Sequence, residues 1–133
     1  MGFPDAVQRM AEAIRAADGV IICTPEYNNS VPGVLKNAID WLSRAPHQPF
    51  SEKPVALQSA SPGAFGGVRC QLAIRPVLAT LNAFVMNRPG VLVANAGSKF
   101  DQATGELRDA ETKELIGKQL AAFDAFVRRM QSG

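Results

Sequence analysis

The 133-residue sequence has two cysteines, one histidine and a net charge of only +2. Cys23 falls in a predicted strand and Cys70 in a predicted helix, without metal-ligand spacing, so both read as buried thiols of a reducing cytoplasm. The lone His47 lies in a loop between Pro46 and Pro49, which leaves a catalytic triad or a histidine metal centre without support. Lysines and arginines are scattered rather than striped, which argues against a nucleic-acid partner. No apolar run approaches the length of a membrane span. The start, Met1 to Ala6, shows neither a charged-then-apolar signal segment nor the Ser or Thr of a myristoylation site. Repeats and linkers are also missing. What remains, 47% apolar and 20% charged residues, is the composition of an ordinary globular domain, with length enough for one domain over residues 1–133 and its own core.

Hydrophobic spacing lays out the elements. Val7, Met10, Ala11, Ile14 and Ala17 recur at helical intervals between Pro4 and Gly19. Val20 to Cys23 is an uninterrupted apolar run, expected of a parallel strand covered on both faces and stopped by Thr24 and Pro25. Ser30 is the predicted N-cap of a second helix, with Val34, Leu35, Ala38, Ile39 and Leu42 on its inner face and Ala45-Pro46 at its end. A strand over Val55 to Gln58 and a glycine-rich turn from Ser59 to Gly67 follow. A third helix is expected from about Gly67 to Phe84, kinked between Leu72 and Pro76, because an internal proline costs ~3 kcal/mol or more in a straight helix. Val91 to Ala94 form a third strand and Ala96 to Asp109 a polar loop. Asp109 caps a last helix, about Ala110 to Met130, that buries Leu115, Ile116, Leu120, Phe123, Phe126 and Val127. Three strands alternating with four helices make an α/β protein, and in such sheets ligands sit outside the carboxyl ends of the strands. The turn Pro25 to Asn28 is therefore the first candidate site.

That turn carries a resemblance. Thr24-Pro25-Glu26-Tyr27-Asn28, with Ser30-Val31-Pro32-Gly33 and Leu35-Lys36-Asn37-Ala38-Ile39-Asp40-Trp41-Leu42, resembles the NADPH-dependent FMN reductase family, and within it the bacterial quinone and chromate reductases. Ser59-Ala60-Ser61-Pro62-Gly63-Ala64-Phe65-Gly66-Gly67-Val68-Arg69 resembles the second flavin loop of that family, at the right distance downstream. The resemblance implies a flavodoxin-like three-layer α/β/α fold with a parallel sheet. It also implies an enzyme in which hydride from NADPH or NADH reaches bound FMN and electrons leave to a quinone, an azo compound, free flavin or chromate. The cofactor carries such chemistry, and the protein holds and tunes it. By the same resemblance Pro25, Glu26, Tyr27 and Asn28 contact the flavin ring, with Tyr27 flanking it. Ser59, Ala60, Ser61 and Gly63 approach the ring edge and ribityl chain mainly through the main chain, glycine permitting close approach. Ala60 replaces a small hydroxyl residue, which removes a side-chain contact there.

Each of these residues also has a plainer reading. Pro25 and Asn28 suit any tight turn. Glu26 suits a structural hydrogen bond better than acid–base work. By the same resemblance Arg44 lies near the open face of the flavin, as a catalytic cation for the nicotinamide phosphate, an anionic oxidant or a developing flavin hydroquinone anion; equally it is a helix-end cation worth ~0.3–1 kcal/mol against the macrodipole. Trp41 and Leu42 suit the core or a dimer interface, and Arg69 either a salt bridge between subunits or a solvated helix position.

The resemblance begins at what is the family's second helix, so the expected unit is the carboxyl-terminal two-thirds of the family fold, without its first strand, phosphate-binding loop, first helix and second strand. In the strand order 2-1-3-4-5 this exposes Val20 to Cys23 as an apolar sheet edge that invites pairing with another chain. A homodimer or homotetramer is the expected assembly. The rival reading is an N-terminally truncated, flavin-free fragment serving as a binding or oligomerisation module.

Overall fold

The computed structural model describes residues 2–132. Its elements run in the order α1 (Asp5–Ala16), β1 (Val20–Pro25), α2 (Gly33–Ser43), β2 (Pro54–Ala60), α3 (Val68–Thr80), β3 (Phe84–Val85), β4 (Val91–Val93) and α4 (Ala110–Gln131), with a single 3-10 turn at Ala96–Ser98. All strand pairs are parallel. β2 is central, with Val20 to Pro25 of β1 in register with Val55 to Ala60 on one side. On its other side Pro54 and Val55 meet β3, and Gln58 to Ala60 meet β4. β3 and β4 thus share one strand position in two pieces, which is why four strands appear where the sequence suggested three.

Strand residues alternate between the two faces of the sheet, and the faces are covered unequally. On one face Ile22 and Leu57 join Ala11 of α1, Ile39 and Leu42 of α2, and Ile74 and Leu78 of α3 in the main core. Leu57, Ile39, Ile74 and Leu78 are almost wholly buried, each worth roughly 1.5–3 kcal/mol of transfer free energy. On the other face Ala56 and Met86 pack under Phe123 of α4. Gly19 lets the chain pass close beneath α4: a Cβ there would lie 2.8 Å from the Phe123 ring and 2.9 Å from Val127.

Several expectations are corrected. β1 extends to Pro25, and it is covered on one face rather than both: Ile22 and Thr24 are buried, whereas Ile21 and Cys23 are exposed. Its outer side is unpaired among the described strands, as the edge argument anticipated. α2 starts after Pro32 rather than at Ser30, whose amide is taken by Tyr27, and Val34 points to solvent at 83% exposure. β2 begins at Pro54 and ends at Ala60, beyond Val55 to Gln58, and β4 stops at Val93.

α3 stops at Thr80, four residues before the expected end, because Asn82 adopts a left-handed conformation (φ 59°). The amides of Asn82 and Ala83 then close onto the carbonyls of Ala79 and Leu78, a Schellman ending that turns the chain into β3. The helix is continuous across Pro76, and Leu72, whose carbonyl the proline leaves without its amide, stands on the exposed side. In α4, Asp109 caps as expected, accepting the Thr112 amide at 2.9 Å. Leu120 is 44% exposed, while Gln119 takes the buried place, donating to the Leu57 and Pro89 carbonyls and accepting from Gln58.

Candidate functional site

The turns that follow β1 and β2 emerge side by side, because Thr24 pairs with Ser59 and Pro25 with Ala60 in the parallel register. In the first turn, Tyr27 and Ser30 exchange backbone hydrogen bonds at 3.1 and 3.0 Å, and Asn28 and Asn29 between them have φ of 50° and 63°. Two positive φ angles in a two-residue loop define a type I′ turn, and asparagine tolerates them best after glycine. The turn holds Tyr27 60% exposed, its ring free to lie against a planar ligand.

The second turn is anchored from below. Ser59 is buried; its hydroxyl donates to the Gly66 carbonyl at 2.6 Å and accepts from Gln71 Nε2, which also donates to the Val91 carbonyl. The Ser59 side chain is thus consumed inside the protein. Gly66 and Gly67 carry φ of +60° and +85°, and a Cβ on either would come within 2.7 Å of Leu92 or Ser59. The left-handed backbone angles of the loop therefore belong to these two glycines. Gly63, by contrast, has open space around its missing Cβ. The loop crest is tied to the end of β4: Ser61 N–H donates to the Val93 carbonyl, Asn95 N–H to Gly63, and Ala96 N–H to Ser61.

One carboxylate ties the first turn to the start of α3, the helix that follows the second turn. Glu26 accepts the Cys70 amide at 3.0 Å and lies 3.7 Å from the Arg69 guanidinium. Arg69 also donates to Asn29 at 3.4 Å and sits 5.0 Å from the centroid of the Phe65 ring. This is an ion pair within one chain, a partner the sequence did not suggest, and the Arg69 side chain stays about half exposed. Burial raises the pKa of the Cys70 thiol; a hydrogen bond with Thr24 opposes the shift and the negative charge of Glu26 adds to it.

Below the turns, a mainly apolar cavity of about 500 Å3 opens along the less covered face, lined by residues that include Cys23, Pro25, Gln58, Ala60, Val93 and Phe100. Cys23 is correspondingly exposed, in contrast to the buried thiol expected, and its Sγ–H donates to Gln58 at 3.3 Å.

Pro25, Glu26, Tyr27, Asn28, Ser59, Ala60, Ser61 and Gly63 are thus gathered at one end of the sheet. Arg44 is not. It follows the last residue of α2, about 16 Å along the helix from its start near the turns. There it lines a separate cavity with Lys36, Asp40, Thr80 and Leu81. Trp41 is 43% exposed and meets the edge of the Phe3 ring. Sequence reasoning missed Gln71, although a polar residue sharing a helical face with Ile74 and Leu78 was a signal. It missed the Glu26–Cys70 bond, for which no local pattern exists.

Helices on both faces of a parallel sheet, with two ligand-ready turns beyond the carboxyl ends of neighbouring strands, define a flavodoxin-like α/β protein. Residues 1–98 match the family of NADPH-dependent FMN reductases. The quinone reductase of Escherichia coli K12 is 52% identical over 130 residues, covering 98% of this chain and 69% of that protein. The NAD(P)H-dependent FMN reductase of Pseudomonas aeruginosa is 50% identical over 131 residues, 98% of this chain and 70% of its own length. Among solved structures, FerB, a flavoenzyme NAD(P)H:(acceptor) oxidoreductase from Paracoccus denitrificans, superposes with a TM-score of 0.84 at 30% identity, over 96% of this chain and 70% of that one. The chain belongs to the NADPH-dependent FMN reductase family, oxidoreductases that use FMN and NAD(P)H.

The space beyond the two turns suits a planar ring on two counts: Tyr27 stands exposed on one turn, and the missing Cβ of Gly63 leaves open space on the other. Arg69, the cation beside them, is already engaged by Glu26, Asn29 and Phe65.

Proposed function

We propose that this protein is a quinone reductase in which FMN is held by the turns after β1 and β2 and is reduced by NADPH or NADH. The juxtaposition of these turns, fixed by the pairing of Pro25 with Ala60, carries the reading. Tyr27 flanks the ring. Pro25, Glu26 and Asn28 border it from the first turn, and Ala60, Ser61 and Gly63 from the second, chiefly through the main chain. Ser59 acts indirectly, as the buried anchor of its turn. Bound FMN supplies hydride acceptance and electron release; the protein supplies the ring's place and the apposition of donor and acceptor.

A quinone is favoured among acceptors because the relatives include, besides the E. coli enzyme, a 2-hydroxy-1,4-benzoquinone reductase of a Burkholderia species at 38% identity. Azo compounds, free flavin and chromate are the other acceptors to assay. The assembly we infer is a homodimer or homotetramer, supported by the exposure of Val34, Trp41, Phe65 and Leu72. A cytoplasmic setting suits two cysteines that are both free; no helix among the described residues is long and apolar enough to cross a membrane.

The experiment is an FMN titration of the purified chain followed by flavin fluorescence, then NADPH oxidation with each acceptor. Saturable quenching and quinone-dependent turnover are expected. A chain that neither binds FMN nor gains activity when FMN is added would refute the proposal and leave the flavin-free module in its place.

A further inference from the structure

We propose that Glu26 is a positioning residue that fixes the two flavin turns relative to each other by capping α3 from across the fold. This rests on the flavin reading above for its functional meaning, but the geometry stands by itself. The first amides of a helix have no partner within it. α3 begins after Gly67, which offers no side chain to cap them. Val68 N–H turns back to the Phe65 carbonyl, and Gln71 N–H makes the first regular helical bond, to Gly67. The Cys70 amide between them is satisfied by the Glu26 carboxylate, 44 residues earlier in the chain.

A carboxylate there also faces the positive end of the α3 macrodipole. With its side chain only 11% exposed, Glu26 is held against α3 rather than reaching into the space a ligand would fill. Arg69 doubles the link, joining Glu26 to Asn29 within the type I′ turn and stacking on Phe65 of the second turn. Ring-holding main-chain groups on two separate loops are useful only if their spacing is kept to a fraction of an ångström. The pairing of Pro25 with Ala60 brings the turns side by side, and the Glu26–Arg69–Cys70 junction holds the parts beyond the strand ends in place.

The test compares wild-type protein with Glu26→Ala and Glu26→Gln by residue-resolved amide hydrogen exchange, with Leu57 in central β2 as the report on global folding. In Glu26→Ala, Cys70 is expected to exchange roughly 2- to 30-fold faster, the range of measured capping effects. Tyr27 and Ser30, whose amides close the first turn, should accelerate with it. Glu26→Gln, which keeps an acceptor but loses the charge, should fall between, and FMN affinity should weaken in the same order.

Unchanged Cys70 protection in Glu26→Ala would overturn the proposal. So would a faster Cys70 with Tyr27 and Ser30 unaffected, which is a cap without coupling. Full affinity for FMN in Glu26→Ala would overturn it as well. If Glu26→Ala loses the protection of Leu57, Arg69→Met takes its place: it removes only the guanidinium, and faster exchange at Tyr27 and Ser30 is again expected, unchanged exchange refuting the link. Wild-type protein that fails to take up FMN would refute the flavin reading alone, since the exchange data decide the role of Glu26 without any ligand.

Discussion

Gly67→Ala is the sharpest perturbation of the second turn. At φ +85° an alanine is strained by about 1–2 kcal/mol. Its Cβ would also lie 2.7 Å from both Cβ and Oγ of Ser59. Ser59 cannot yield cheaply, because its hydroxyl is held by the Gly66 carbonyl and by Gln71 in a buried site. Overpacking of this kind costs about 1–3 kcal/mol, so the whole loss should be about 2–5 kcal/mol, a fall in melting temperature of roughly 10 °C for a domain of this size. Urea denaturation of both proteins measures it. Gly63→Ala is the internal control: nothing lies within 4 Å of its Cβ position, so stability should change by no more than about 0.5 kcal/mol, while FMN binding should fall if Gly63 borders the ring as proposed. A loss below about 1 kcal/mol in Gly67→Ala would show that the close approach to Ser59 is not a constraint. Undiminished flavin affinity in Gly63→Ala would remove that glycine from the site.

Phe123→Ala should destabilise by about 3–5 kcal/mol in chemical denaturation, since it empties the contact of α4 with Ala56 and Met86. Two partly buried aspartates give an acid dependence. Hydrogen bonds from Thr112, side chain then amide, hold Asp109 below the usual carboxylate range, and bonds from Thr104 and the Ala103 amide do the same for Asp101. Because the folded value is the depressed one, their stabilisation is complete above the ordinary aspartate range and is lost as pH falls through it. Asp109→Asn should flatten the acid limb of a melting-temperature profile, and an unchanged limb would discount the cap. Thiol labelling should show two phases: Cys23 modified in the folded protein, slowed because desolvation holds its pKa up, and Cys70, fully buried, only on unfolding. Equal rates would contradict the burial pattern.

Much of the fold is legible in the chain, and the misses have physical causes. The helices announce themselves through spacing and punctuation: Pro4 and Gly19 around α1, Asp109 before α4. The apolar run of Val20 to Cys23 reports the strand, but an apolar residue reads the same whether a helix covers it or not, so the exposure of Ile21 and Cys23 was invisible. The early stop of α3 depends on Asn82 choosing a left-handed angle, one turn residue outweighing the apolar pattern that continues to Phe84. That the turns at Pro25 to Asn28 and Ser59 to Gly63 come together was legible, the first from its place at a strand end and the second through its resemblance to a flavin loop. The pairing of Glu26 with Cys70, and the displacement of Arg44 to the far end of α2, exist only once the chain is folded.

The central place of β2 has a kinetic consequence. Among the described strands it alone has neighbours on both sides, pairing with β1 on one and with β3 and β4 on the other. No other strand can find its register before β2 is laid down, and each of these pairings closes a long loop whose entropy is lost before the contact repays it. Val55 and Leu57, almost wholly buried where these pairings meet, are the expected folding nucleus: trimming them should slow refolding, whereas trimming α4, which contacts the sheet at β2 and β4, should chiefly hasten unfolding.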